Sequence, residues 1–153
     1  MKTPVWFFCG VFVLILMSAL FYFANPYETI PDGYYTAEAK YFDKYGWKEF
    51  VTIFVSGGKI TTVEYNAKNP SGFIKSWDMD LMRLMNATNG IYPNAYTRIY
   101  AAELLAKQNP EKIDVISGAT HSYHTFNQLA AAVIKKIQEG DTSVAFVDVS
   151  HHE

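Results

Sequence analysis

The hydrophobic period of this chain changes once, near its middle, and that change confines it to a narrow set of folds. Between residues 34 and 65 apolar side chains tend to alternate. Between residues 76 and 137 they recur at spacings of three and four. An alternating segment buries one face of a strand, and a 3.6-residue period buries one stripe of a helix. Strands first and helices afterwards describe an α+β domain, because a doubly wound parallel sheet needs the two kinds of element to alternate along the chain.

Residues 34–42 place Tyr35, Ala37, Ala39 and Tyr41 on one face and Thr36, Glu38 and Lys40 on the other. Residues 47–55 are rich in β-branched and aromatic side chains and read as a second strand. Ser56-Gly57-Gly58-Lys59 is a hairpin signal leading into a third strand over 60–65. A three-stranded antiparallel meander is the simplest outcome. Ser76 is then the expected cap of a helix carrying Leu81, Met82, Leu84 and Met85 and ending near Asn89-Gly90. Asn94 is the expected cap of another, through Tyr96, Ile99, Tyr100 and Leu104, stopped by Pro110. Residues 113–116 are either a strand or a buried connector. In the last helix Phe126, Leu129, Ala130, Val133, Ile134 and Ile137 fall on one stripe. Lys135 and Lys136 suit the dipole of its final turns, and Gly140 is a stop. Residues 143–149 are a candidate final strand.

At 153 residues the chain has room for one ordinary domain and an anchor. With half its residues hydrophobic and 16% aromatic, that domain can build a substantial core. The formal net charge is −2 and no Lys or Arg block forms a stripe, which argues against nucleic acid as a partner. The single cysteine, Cys9, permits no intrachain disulfide. Residues 4–24 carry no charge and follow Lys2, the pattern of a membrane-spanning helix with its N-terminus in the cytoplasm and the rest of the chain outside. Trp6, Tyr22 and Tyr27 suit the two interfaces. A cleaved signal peptide is the alternative, but neither Ser18-Ala19-Leu20 nor Tyr22-Phe23-Ala24 is a convincing cleavage site. Cys9 lies too near the start, behind the wrong residues, for a lipoprotein cysteine. The expected organisation is an anchor over residues 1–25, a linker over 26–31 and one domain over 32–149.

The run Asp114-Val115-Ile116-Ser117-Gly118-Ala119-Thr120-His121-Ser122 stands directly before the strongest helix. Small residues let a backbone approach a ligand closely, and the first N–H groups of a helix point outward without partners. A phosphate held where loop becomes helix, with the Thr120 hydroxyl beside it, is one reading. A tight turn followed by a Ser or Thr cap is the other.

DVISGAT resembles the recognition sequence of covalent flavinylation, in which an Asp stands six positions before the acceptor Thr and a small-Gly-Ala triplet precedes it. The extension GATHSYHTF is similar to the single-domain FMN-binding proteins of bacterial surfaces. The flavin-bearing small subunits of the sodium-pumping NADH:quinone reductase and of the Rnf complex are more distant relatives. The likeness runs over residues 32–140. It includes Asp32-Gly33-Tyr34-Tyr35, Gly58-Lys59-Ile60, Asn69-Pro70-Ser71-Gly72 and Lys75-Ser76-Trp77-Asp78. The Thr-Pro-Gly-Leu-Gly run of the larger complexes is missing, so their flavin-ring contacts do not transfer. The resemblance implies a twisted antiparallel sheet of three or more strands with helices beside it. It also implies FMN attached through a phosphoester to Thr120 by an extracytoplasmic flavin transferase that requires Asp114.

Around that acceptor, Gly118 and Ala119 keep the backbone uncrowded. Ser117 and Ser122 are candidates for the phosphate or for capping, and His121 for a charge or hydrogen-bond partner. His121 and His124 lack a nearby third ligand for a metal. Lys75 is a candidate to neutralise phosphate or reduced-flavin charge, or is a solvated loop lysine. Trp77 and Met82, with Met85, Tyr92 and Trp47, offer polarizable faces to the ring, although such residues also build ordinary core. Asn86-Ala87-Thr88 matches a glycosylation sequon, which carries little weight in a sequence of bacterial aspect.

The function expected is electron transfer by a membrane-anchored extracytoplasmic flavoprotein, supplied by a membrane reductase or a quinol. An anchored surface binding protein that holds FMN non-covalently or not at all is the alternative. A flavin reductase with its own substrate pocket finds no nucleotide-binding glycine loop to support it. A hydrolase finds no nucleophile–histidine arrangement outside the flavin motif.

Overall fold

The computed structural model describes residues 30–149. Four strands, β1 (Gly33–Ala39), β2 (Lys48–Ser56), β3 (Lys59–Lys68) and β4 (Ala145–Val147), form one sheet in the order β3-β2-β1-β4. Three helices, α1 (Met79–Asn89), α2 (Pro93–Lys107) and α3 (Thr120–Glu139), follow the third strand and precede the last. The expected anchor over residues 1–25 and most of the linker lie outside the described residues. Among the described residues no helix is long and apolar enough to cross a membrane.

The meander forms as its alternation dictates. In β2 every second residue, Glu49, Val51, Ile53 and Val55, is buried. The β2–β3 turn sets Gly57 at φ 58° and Gly58 at φ 73°, the two positive values that a two-residue type I′ hairpin needs. One correction concerns the sheet, which is mixed and not purely antiparallel. β4 pairs parallel to β1 through Ala37↔Ala145 and Ala39↔Val147, and Lys40 N–H donates to the Val147 carbonyl at 2.7 Å. The chain returns along α3 and enters the sheet in the direction of β1, covering an edge that would otherwise be open. Tyr41, expected to continue the inward face of β1, lies beyond the strand and is exposed.

Both expected helix caps are displaced. Asp78, not Ser76, caps α1, accepting from the Leu81 N–H at 2.9 Å. Ser76 is buried in a 3-10 turn (Lys75–Trp77), where its hydroxyl accepts from the Asn66 amide at 2.9 Å. In α2 the cap position is Tyr92 and Pro93 opens the helix, its fixed φ suiting the first turn. The Asn94 amide oxygen accepts from Arg98 instead.

The helices cover one face of the sheet, α2 against β3 and α3 against β1 and β2. Between them lies a core of Tyr35, Val51, Ile53, Tyr65, Tyr100, Leu104, Phe126 and Leu129, with the Tyr100 and Phe126 rings stacked at 5.3 Å. α1 fully buries none of its residues. The segment before α3 contains a 3-10 turn (Pro110–Lys112) and no strand, so residues 113–116 are a connector, but only Ile113 of it is buried, while Asp114 and Val115 are exposed. On the outer face of the sheet, Glu38 binds Lys48 and Lys68. Burial raises its carboxyl, but the bonds from the two lysines outweigh that and hold it below the usual range.

Candidate functional site

α3 starts at Thr120, and Thr120 is exposed. Its cap position is Ala119, which offers no side-chain oxygen to the first turn. The first N–H groups of a helix have no intrahelical partner, and the helix dipole adds partial positive charge at the same place. The reading of Thr120 as a capping hydroxyl therefore does not describe this helix, since Thr120 lies one position inside it. An anion attached at the Thr120 hydroxyl would stand at the positive end of a helix of 20 residues.

The loop that delivers Thr120 is held from below. Tyr100 Oη accepts from the Ile116 N–H at 3.1 Å and donates to the Ala119 carbonyl at 3.3 Å. Tyr123 Oη donates to the Ile113 carbonyl at 3.1 Å. Gly118 takes φ +80°, and a Cβ there would meet the Asn89 carbonyl oxygen at 2.8 Å. The backbone of the motif therefore rests on the α1–α2 connection, and glycine is required by conformation and by space together. Asp114 is nearly fully exposed and pairs with Lys107 at 3.3 Å. Ser117 is also exposed.

One residue beyond Thr120 a cleft of about 320 Å³ opens between the β1–β2 loop and α3, with Trp47, Glu49, His121 and Thr125 among its walls. That volume is at the lower end for small-molecule sites, enough for one planar ring system. Phe42 and Tyr41 extend the aromatic wall outward.

Of the predicted site residues, the structure gathers Thr120, His121 and Ser122 on the first turn of α3, with Gly118 and Ala119 just before it. Lys75 joins them through Tyr96, whose buried phenol is influenced by both Ser122 and Lys75. Lys75 is largely buried, not a solvated loop lysine, and its ammonium lies over the Trp47 ring at 6.0 Å. Trp77 and Met82 go elsewhere. Trp77 packs edge-on against Phe73 and borders a groove between β3 and α2. Met82 borders a shallow depression with Tyr92 and Asn94. Among the described residues no group of three or more His, Cys, Asp or Glu is placed to hold a metal.

Three residues that sequence reasoning passed over complete the site: Glu49, Tyr65 and Tyr96. Glu49 Oε2 accepts from the Tyr65 hydroxyl at 2.7 Å, and Tyr65 also lies 3.0 Å from the Ser122 carbonyl. Burial pushes the Glu49 carboxyl up, against the opposing pull of Lys75 and Tyr65. Burial likewise raises the Tyr65 and Tyr96 phenols. The signal was present: Glu49 is in phase with Val51, Ile53 and Val55, a carboxylate on the inward face of a strand.

The comparisons agree with this geometry. A family model described as an FMN-binding domain matches residues 46–135, a span that includes Trp47, Glu49, His121 and Thr125 of the cleft wall and the loop before Thr120. A "15 kDa lipoprotein" of Treponema pallidum (strain Nichols) is 39% identical over 132 residues, covering 86% of this chain and 92% of that one. A crystal structure of a Clostridium perfringens protein superposes with a TM-score of 0.73 at 39% identity, covering 76% of this chain and 95% of the other. A solution NMR structure from Clostridium thermocellum gives 0.50 at 29% identity, covering 80% and 98%. The matched span and the relative's 39% identity over most of both chains show that the chain belongs to the FMN-binding domain family, with FMN as its cofactor.

Proposed function

We propose that this protein is a membrane-anchored, extracytoplasmic electron carrier whose FMN is esterified through its phosphate to Thr120. The observation that carries the reading is the placement of Thr120: exposed, on the first residue of α3, behind an alanine that leaves the helix end uncapped. FMN supplies one- and two-electron chemistry that no side chain here offers. The chain's own residues supply position and charge. Gly118 and Tyr100 fix the loop. The N–H groups of α3 face the remaining phosphate charge. Asp114, exposed at the loop's start, is within reach of a transferase. Trp47 and Phe42 give the ring an apolar wall, and His121 and Glu49 give it a polar one.

The Treponema pallidum relative is by name a lipoprotein, which supports a domain held at a membrane outside the cytoplasm. The uncharged run over residues 4–24 offers a spanning helix as the means in this chain. Ester linkage suits such a location, because a lost cofactor has no cytosolic flavin pool to replace it. Donor candidates are a quinol or a membrane reductase.

Denaturing gel electrophoresis tests the attachment. Co-produced with a flavin transferase, the chain should give a fluorescent band under ultraviolet light, and Thr120→Ala should give a dark one. A fluorescent Thr120→Ala band refutes the acceptor. A dark wild-type band refutes covalency and leaves a protein that holds FMN non-covalently.

A further inference from the structure

Five side chains from five elements meet beneath the first turn of α3: Glu49 from β2, Tyr65 from β3, Lys75 from the 3-10 turn, Tyr96 from α2 and Ser122 from α3. Tyr65 donates to Glu49 at 2.7 Å, Lys75 Nζ stands 4.0 Å from the other Glu49 oxygen, and the Tyr96 phenol interacts with both Lys75 and Ser122. Asp43, from the β1–β2 loop, adds its negative charge to both Glu49 and Lys75. His121 lines the cleft that Glu49 borders. Burying an ion pair of this kind gains little stability over well-packed apolar side chains, so its presence calls for another explanation.

The two charged members respond differently to their surroundings. Burial raises the Glu49 carboxyl above its usual range, against the pull of Lys75 and Tyr65. Burial lowers Lys75, but Tyr96, Glu49 and Asp43 together outweigh it, so the ammonium stays charged. Of the pair, Glu49 is the one whose surroundings favour its neutral form, and it forms part of the cleft wall.

Resting on the reading that FMN is held at Thr120 with its ring in this cleft, we propose that Glu49 is a proton-holding residue coupled to reduction of the site. FMN held here would accept two electrons and one proton from a donor of the quinol or reduced-flavoprotein class, which would add one negative charge to the site. Glu49 takes a second proton, from water, so the site gains two electrons and two protons and no net charge. Lys75, 4.0 Å from Glu49, would then lose its counter-charge and leave net positive charge beneath the site.

The test uses the full flavinylated chain. Infrared difference spectra on dithionite reduction should show a protonated-carboxyl stretch that shifts in D2O and is absent from Glu49→Gln. In mediator titrations at neutral pH, Glu49→Gln, which leaves Lys75 unopposed, should raise the reduced-to-oxidised ratio about tenfold at a given potential, about 30 mV for a two-electron couple. Lys75→Met should shift it the other way, and Glu49→Asp should restore the carboxyl band. No carboxyl band in the wild type, the same band in Glu49→Gln, or coincident titration curves overturn the inference. If Glu49→Gln does not fold, an unchanged Lys75→Met potential overturns it alone. The gel separates the two failures: dark bands throughout indict the Thr120 attachment, while fluorescent bands with coincident curves indict Glu49.

Discussion

Gly118 is where the acceptor loop is most open to a quantitative test. Its φ of +80° lies in the left-handed region, and a Cβ built there falls 2.8 Å from the Asn89 carbonyl oxygen and 2.9 Å from Ile91 Cγ2. Gly118→Ala therefore has two costs. Holding an L-residue left-handed costs about 1–2 kcal/mol. Relieving a contact with backbone, which cannot swing aside as a side-chain tip does, adds about 1–3 kcal/mol. Gly46 provides the control: its φ is +82° and a Cβ there meets nothing within 4 Å. Gly46→Ala should show the conformational cost alone.

The difference between the two variants, about 1–3 kcal/mol, isolates the contact with the α1–α2 connection. In urea unfolding, with a slope of about 1–3 kcal/mol per M for a domain of this size, it separates the two midpoints by on the order of 1 M. Equal midpoints would refute the claim that the loop is seated on Asn89 and Ile91. The flavinylation gel gives a second reading. Gly118→Ala should be labelled more slowly than Gly46→Ala at matched folded fractions, because only the first displaces the acceptor's own backbone.

Tyr100→Phe keeps the ring stacked on Phe126 but leaves the Ile116 N–H without its acceptor, and should cost about 1–3 kcal/mol with faster amide exchange at Ile116. Unchanged exchange there would remove Tyr100 as the loop's support. Asp141, bound by Lys136 and by the Ser143 backbone and hydroxyl, has its carboxyl lowered to about 2. A lowered carboxyl contributes stability above its unfolded value that is lost as pH falls through the folded one. Asp141→Asn should therefore melt earlier than the wild type at neutral pH and together with it near pH 1.5. A gap that persists in acid would refute the linkage.

The parts of the fold legible in the sequence are those fixed by near neighbours. Alternation set the faces of β1 and β2, Gly57-Gly58 set the hairpin, and the stripe from Phe126 to Ile137 set the long helix. What escaped depended on competition or on distant partners. Ser76 and Asp78 are both capping residues two positions apart. Asp78 takes the role because the Ser76 hydroxyl is engaged by Asn66, a contact across ten residues that local reading does not supply. The three residues of β4 carry no mark of strand direction, and only the return of α3 makes them parallel to β1. The motif proposed to carry the acceptor is contiguous, so the sequence displays it whole. The polar cluster beneath it is not, because Glu49, Tyr65, Lys75 and Tyr96 come together only through the fold.

The two halves of the site are joined by the register of one helix. The buried stripe of α3 extends back from Phe126 to Thr125 and Ser122, at spacings of one and four. That rotation buries Ser122 beside Tyr65, sets Thr125 and His121 in the cleft wall, and leaves Thr120 exposed. At about 100° per residue, moving the stripe by one position would turn the acceptor away from solvent or lift Ser122 off its partners. Core packing and the exposure of Thr120, the proposed acceptor, are thus one constraint. Phe126 and Leu129, which touch no cofactor in this reading, determine where the Thr120 hydroxyl points. A substitution that repacks this stripe by rotating α3 should therefore impair flavinylation more than it impairs stability, whereas one that only opens a cavity should do the reverse.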